Sequence, residues 1–171
     1  MQTYHRNTLF INITLLDCSR CDKFKEIPNI FSNLTYLECS HCTLIKVLPN
    51  ALIKLELLNC SDCEGITEIP STYTNLHTLL CNNCTKLTEI PNTLTNLVNL
   101  ECRVLSIIKL PDTLSKLKKL DCSVCEYLET LPNTFLCLEK LTCNFSNLIK
   151  LPDTFSNLLY LFCRDCHNLN P

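Results

Sequence analysis

Cysteine pairs separated by two residues are the feature of this sequence with the clearest potential for chemistry. The six C-x-x-C pairs are Cys18/Cys21, Cys39/Cys42, Cys60/Cys63, Cys81/Cys84, Cys122/Cys125 and Cys163/Cys166. Two adjacent pairs can supply the four thiolates of a tetrahedral zinc site, and one pair with a lowered pKa can exchange disulfides. The pairs therefore raise three interpretations: a metal site, a redox site, or a buried structural role.

The placement of the pairs favours the structural role. Every pair occupies the same two positions of a repeated unit, and two units replace the second cysteine, with Leu105 and Ser146, without losing the repeat. A metal site would not tolerate these replacements, and a reactive pair would need a helix N-terminus or nearby cations. Cysteine is among the most often buried residue types. We therefore predict stacked core thiols with no cofactor, with Cys137 as the most exposed thiol, and we keep metal binding as the alternative.

No catalytic constellation accompanies the cysteines. The sequence has no G-x-S-x-G, H-E-x-x-H or phosphate-loop motif, and its four histidines fall at unrelated positions of the repeat. Its single glycine, Gly65, excludes glycine-rich nucleotide loops and predicts turns that do not depend on glycine-only conformations. We predict that the protein is not an enzyme.

Composition limits the classes of partner and compartment. With 15 basic and 17 acidic residues, the net charge of −2 provides no general attraction to nucleic acid or to an anionic membrane. Fifteen cysteines would suit a secreted disulfide protein, but the apolar stretch from Leu9 to Leu16 lacks a cleavage site and a dedicated basic region. No run approaches the roughly 18 apolar residues of a membrane span. We expect a cytoplasmic protein with reduced thiols and a protein partner.

A repeat of about 21 residues organises the chain. The unit reads L-x-x-L-x-C-x-x-C-x-x-(L/I)-x-x-(L/I)-P-x-x-(L/F)-x-x, and we number its positions from the first leucine. Eight copies cover residues 13–171, the last of them truncated, after a partial N-terminal repeat or cap in residues 1–12. The units that begin at Leu97 and Leu138 are one residue short before the proline, and they are the two that lack the second cysteine. We expect the coil to follow a different path there.

The unit predicts a solenoid with a parallel sheet. Positions 4 and 6 point to one face of an extended segment, and positions 3, 5 and 7 point to the other. One unit cannot enclose its own apolar residues, so stacking at about 4.8 Å joins the strands and buries the leucines as ladders. The proline keeps the residue before it extended and begins a turn. We expect an α/β-class solenoid with the sheet on its concave face, turns and short 3-10 pieces on its convex face, and little α-helix.

These residues resemble the leucine-rich-repeat family in its cysteine-containing form, with Leu-Pro on the convex side. The pattern is similar to repeats of plant resistance receptors and F-box ubiquitin-ligase adaptors. Its cysteine-heavy, glycine-poor composition is also similar to leucine-rich-repeat proteins of giant DNA viruses of amoebae. The resemblance implies a non-enzymatic protein-interaction module, and its viral form would be an adaptor directed at a host protein in the host cytoplasm.

The outward residues of the sheet form the expected binding surface, because aromatic and arginine side chains supply most interface energy. The residues predicted to bind a partner are Tyr160, Phe162, Arg164, Phe145, Lys140, Lys119, Tyr36 and Glu38. Two alternatives stay open. Tyr160 and Phe162 could instead cover an exposed end of the core, and the uncapped ends could support a homo-oligomer or a self-assembling structural protein.

Overall fold

The computed structural model describes residues 11–170, which form eight short strands and one 3-10 helix. The strands are β1 (Leu15–Asp17), β2 (Tyr36–Glu38), β3 (Leu57–Asn59), β4 (Thr78–Leu80), β5 (Asn99–Glu101), β6 (Lys119–Asp121), β7 (Lys140–Thr142) and β8 (Tyr160–Phe162). The 3-10 helix spans Asn29–Phe31. The described residues contain no α-helix, and none of their helices could cross a membrane. The predicted partial repeat in residues 1–12 lies almost wholly outside them.

All eight strands form one parallel sheet in sequence order, as predicted. Equivalent repeat positions face each other throughout, for example Leu58 and Leu79 in β3 and β4. The register also holds across a short unit, where Leu100 pairs with Leu120. It holds because the missing residue lies outside the three-residue strand, so the deletion does not change which side chains face inward.

The interior follows the predicted leucine and cysteine columns. The position-4 leucines from β2 to β7 are 0–2% exposed, and the cysteines at positions 6 and 9 of the central units are fully buried. Two positions differ from expectation. Leu161 in β8 is 44% exposed, because no further strand packs on β8 in the described part of the chain. Ser123, predicted to face outward, is buried, and its hydroxyl donates to Asp121 at 2.7 Å.

The two short units lose one turn, which confirms the expected change of path. In complete units the position-12 amide donates to the position-9 carbonyl, as Leu87 N does to Cys84 O at 2.8 Å. Within residues 11–170, the short units make no equivalent bond. Their replacements Leu105 and Ser146 nevertheless stay buried. The deletion therefore shortens the chain outside the core and keeps position 9 inside.

Position 8 of every unit has a left-handed backbone, although none of these residues is glycine. φ lies between 54° and 61° at all eight of these residues, which are Arg20, His41, Asp62, Asn83, Val104, Val124, Phe145 and Asp165. The conformation directs the position-8 amide at the position-7 carbonyl of the next unit, as from Asp62 N to Asn82 O at 2.8 Å. Scarcity of glycine therefore does not prevent these turns from using a conformation that glycine favours.

Two columns of polar side chains join the units on the side opposite the sheet. A threonine two residues after the proline donates to the position-17 carbonyl of the preceding unit, as Thr93 Oγ1 does to Ser71 O at 2.7 Å. An asparagine at position 21 donates to the position-20 carbonyl of the preceding unit, as Asn96 Nδ2 does to Thr74 O at 2.9 Å. These bonds explain the recurrent threonine and asparagine, and turns rather than repeated 3-10 helices make up this side.

Candidate interaction surface

The side chains at positions 3 and 5 of each strand, with position 7 just beyond it, form what we call the outer sheet face. At its β6–β8 end, Lys119 pairs with Lys140 and Lys140 pairs with Tyr160, so the three form one row. Phe162 lies two residues after Tyr160 on the same face. The structure thus brings together four residues that the sequence predicted as binding residues.

This end of the face exposes an unusual amount of aromatic surface. Tyr160 is 58% exposed, Phe145 is 54% exposed and Phe162 is 48% exposed. The Lys140 ammonium lies 5.5 Å from the Phe162 ring centroid, within range of a cation–π contact. We call this group the β8 patch; its members are Lys119, Lys140, Phe145, Tyr160, Phe162 and Arg164.

Backbone and side-chain bonds hold the β7–β8 exit in place. Arg164 N donates to Asn144 Oδ1 at 2.8 Å, and Phe145 N donates to Arg164 O at 2.8 Å. The Arg164 guanidinium is well exposed and contacts Asp165 Oδ2 at 3.1 Å. The patch therefore has a hydrogen-bonded backbone with long cationic side chains at its rim. Such a backbone needs little rearrangement when a partner binds.

Tyr36 and Glu38 lie apart from the β8 patch, on β2. Both are half-buried, and the Glu38 carboxylate already accepts two hydrogen bonds, from Ser40 N at 2.9 Å and from Asn59 Nδ2 at 2.7 Å. The eight predicted residues therefore divide into two groups at opposite regions of the sheet. Their role in binding stays a prediction.

The acidic residues at position 5 stabilise the exit from the strand, a role that we did not predict. Asp17 accepts hydrogen bonds from Ser19 N at 2.9 Å and from Ser19 Oγ at 2.7 Å. Asp121 does the same with Ser123, and Asn59 Oδ1 accepts from Ser61 N at 3.1 Å. The bonds from the Ser19 backbone and then its hydroxyl lower the pKa of Asp17. A D/E/N-C-S pattern in the sequence carried this signal.

The cysteines form a ladder of thiol-to-carbonyl hydrogen bonds. The position-9 thiol donates to the position-6 carbonyl of the preceding unit, as Cys63 Sγ does to Cys39 O at 3.0 Å. The same contact measures 3.1 Å from Cys84 to Cys60 and 3.0 Å from Cys125 to Cys102. The ladder satisfies carbonyl groups inside the core, so these cysteines do more than fill space.

Burial and thiol–thiol contacts keep most of the ladder protonated. Burial raises the pKa of Cys18 to about 12 and raises the pKa of Cys81 well above its usual range. The hydrogen bond with Cys84, together with burial, raises the pKa of Cys60. The hydrogen bond with the Cys39 thiol lowers the pKa of Cys63. Within such a pair, ionisation of one thiol therefore opposes ionisation of the other.

Residues 11–170 contain no group of three or more His, Cys, Asp or Glu side chains placed to hold a metal ion. The prediction of core thiols is confirmed for the ten cysteines that are buried. Cys137 is the one exposed cysteine in this part of the chain, as predicted.

A shallow groove of about 760 Å³ runs along the proline corners and was not predicted. Its floor includes Pro70, Pro91, Pro111 and Pro132. Glu68, Glu89 and Lys109 line it with mixed charge and no convergent set of polar groups. The groove therefore makes a weaker candidate site than the aromatic β8 patch.

Comparison with known proteins agrees with this architecture. The Leucine Rich Repeat family model matches residues 33–55. The functional domain of InlJ from Listeria monocytogenes, which includes a cysteine ladder, superposes with a TM-score of 0.81 and 26% identity, over 93% of this chain and 36% of that one. This chain thus spans about a third of the Listeria structure. No curated protein matches the sequence significantly.

Two other solved structures have lower similarity. A leucine-rich-repeat protein of Leptospira interrogans matches with a TM-score of 0.45 and 18% identity, over 93% of this chain and 59% of that one. The ectodomain of the receptor kinase GASSHO1/SCHENGEN3 of Arabidopsis thaliana, in complex with Casparian strip integrity factor 2, matches with a TM-score of 0.45 and 18% identity, over 81% and 25%. The repeat, the parallel sheet and the family-model match together show that the chain is a leucine-rich-repeat solenoid of about 21 residues per repeat.

Proposed function

We propose that this protein is a non-enzymatic binding module that holds a protein partner on its outer sheet face, with the β8 patch as the main contact. The leucine-rich-repeat fold commonly mediates protein–protein interaction. The supporting observation is the exposure of Tyr160, Phe162 and Phe145 beside cationic side chains on one stretch of sheet. Aromatic side chains of this kind dominate binding energy when a partner buries them.

The test is binding by variants with intact folding. Tyr160→Ala and Phe162→Ala should each weaken binding of a partner, identified by crosslinking and then purified, by at least about tenfold. Tyr127→Ala is the matched control, because Tyr127 is 59% exposed but lies in a turn outside the strands. Equal affinity for wild type and both patch variants would refute the proposed contact.

A cytoplasmic location is part of the proposal, and the ladder supports it because thiol-to-carbonyl hydrogen bonds need reduced cysteines. The viral host-directed form of this function rests on composition alone.

The metal-binding alternative can be tested by elemental analysis of protein purified without added zinc. Stoichiometric metal, lost to a chelator together with the fold, would replace the structural role proposed for the ladder.

Self-association is a second candidate function, favoured by the exposure of Leu161 and by the unpaired outer edge of β8 within the described residues. Exposed strand edges pair readily with other strands. Light scattering should then show a mass that rises with concentration and a smaller mass for Leu161→Lys. A monomer at all concentrations would dismiss this candidate without affecting the first.

A further inference from the structure

Two lysines of the β8 patch stand side by side with like charge. Lys119 and Lys140 are direct register partners in β6 and β7, and both side chains are exposed on the outer sheet face. Neighbouring parallel strands lie about 4.8 Å apart, and like charges directly opposite each other destabilise a sheet. The other units carry only uncharged residues at this position. We expect this repulsion to oppose folding, so folding alone does not explain the pair.

Two acids close to the pair in sequence already have other partners. The Asp121 carboxylate, on the same face as Lys119, accepts bonds from Ser123 N and Oγ. Glu139, next to Lys140 in sequence, forms an ion pair with Lys118 at 2.8 Å and raises the Lys118 pKa. The ion pairs of the described residues include neither Lys119 nor Lys140. Neither ammonium group therefore has a carboxylate partner among these ion pairs, and the Lys140 ammonium lies over the Phe162 ring.

The surroundings of the pair indicate what kind of anion fits. Tyr160 continues the lysine row, and Phe162 lies under the Lys140 ammonium, so a ligand would meet two cations and an aromatic surface together. Glu101 and Asp121 on the same sheet face, with the net charge of −2, would repel a long polyanion such as nucleic acid or an anionic membrane. A short segment that combines carboxylates with an apolar side chain meets both requirements.

We infer that the β8 patch binds an acidic segment of a protein partner, whose carboxylates pair with Lys119 and Lys140 while an apolar side chain packs on Tyr160 and Phe162. This inference rests on the proposed function and names the charge of the partner. Ion pairs at such a rim act mainly on specificity and on the association rate. Binding should therefore depend on salt as well as on the aromatic residues.

The binding experiment uses three fluorescent synthetic peptides of equal length, each with one leucine and one phenylalanine: one rich in Glu and Asp, one with Gln and Asn instead, and one with Lys. Anisotropy should show the acidic peptide binding wild type at least about tenfold more tightly than the others, with affinity falling as salt rises. Lys119→Glu/Lys140→Glu should abolish that preference. Lys23→Glu/Lys86→Glu, two exposed lysines at turns away from the sheet, makes the same change of net charge and should retain it.

The outcomes separate this inference from the proposed function. Equal binding of the neutral or basic peptide, still lost in Tyr160→Ala, would overturn the acidic partner and keep the surface. No loss of binding in Tyr160→Ala or Phe162→Ala would overturn both. Competition by a DNA duplex as effective as the acidic peptide would also overturn the inference.

A measurement without ligand tests the underlying repulsion. Lys119→Thr places at this position the residue that β4 carries there, Thr78. The variant should raise Tm at low salt and lose that advantage at high salt, because salt screens exposed charges. A lower Tm at low salt would show that the lysine pair is not a liability, and would remove the observation on which the inference depends.

Discussion

The position-8 residues with left-handed backbone, which we call the left-handed column, provide a stability prediction. Different units carry different residue types there, so the chain supplies its own comparisons. Val124 has φ of 59°, and its amide donates to Asn144 O at 2.9 Å. Valine is β-branched, and a non-glycine residue in this region costs about 1–2 kcal/mol, whereas asparagine adopts it more readily. Val124→Asn should relieve most of this strain while it keeps the backbone hydrogen bond.

The magnitude follows from strain and burial. Val124 is half-buried, so its replacement loses on the order of 0.5 kcal/mol of apolar burial. The variant should therefore gain about 1 kcal/mol in free energy of unfolding. Urea denaturation should show a higher midpoint with an unchanged slope, since the surface exposed on unfolding is the same. A lower midpoint at unchanged slope would refute strain at this position.

Asn83→Val is the matched reverse change at the equivalent position of another unit. Asn83 has the same φ of 59°, and its side chain donates to Asp62 Oδ1 at 2.8 Å. The variant acquires the strain and loses the bond, so it should destabilise by roughly 2 kcal/mol. If neither Val124→Asn nor Asn83→Val changes the urea midpoint, the stability of the left-handed column does not depend on residue type.

Three further changes test other parts of the interior and of the sheet. Tyr73→Phe removes a buried hydroxyl that donates to Pro49 O at 2.9 Å, and should lower the free energy of unfolding by about 1–2 kcal/mol in urea titrations. Cys84→Ala removes a fully buried ladder donor and should cost about 1–2 kcal/mol by the same assay. The bonds from Ser19 lower the pKa of Asp17 in the folded protein, so the contribution of its carboxylate to the free energy of unfolding is present above the ordinary pKa of Asp and is lost as pH falls through the lowered value. The Tm difference between wild type and Asp17→Asn should shrink accordingly.

Exposed residues of the same type provide the controls for these changes. Tyr127→Phe and Cys137→Ala should leave the urea midpoint unchanged, because both side chains are exposed. Losses as large in these controls as in Tyr73→Phe and Cys84→Ala would mean that burial does not explain the effects. A Tm difference for Asp17→Asn that grows toward low pH would contradict the bonds from Ser19.

The columns of leucine and cysteine were predictable because burial imposes the same side-chain type at the same repeat position. Leu58, Leu79 and Leu100 all face inward, because side chains alternate between the two faces of a strand. The stacking of units places the same position inward in every strand. Where the sequence departs from the consensus at position 9, Leu105 is a buried apolar replacement, and Ser146 is a small buried one whose hydroxyl lies 3.5 Å from Cys166 Sγ. The period therefore predicted the fold, the sheet register and the inward thiols.

The left-handed turns were not predictable, because the backbone hydrogen bond that causes them forms in units with very different side chains at this position, including ones that strain it. Arg20, Val104 and Phe145 share a conformation but no side-chain property. The candidate site was predictable only in part. The exposed aromatic residues of β8 were found by position alone, whereas Glu38 was included although Ser40 and Asn59 occupy its carboxylate. Side-chain hydrogen bonds between units decide such cases, and the repeat pattern does not contain them.

Thiol accessibility tests the inward cysteine ladder most directly. Native protein is treated with a thiol-alkylating reagent for increasing times, and each modified cysteine is identified by peptide mass spectrometry. The solenoid predicts that Cys137 reacts first, that the half-buried residues of the first and last units react next, and that the ten buried cysteines react only after unfolding, namely Cys39, Cys42, Cys60, Cys63, Cys81, Cys84, Cys102, Cys122, Cys125 and Cys143. Native modification of Cys60, Cys81 or Cys102 as fast as that of Cys137 would contradict it.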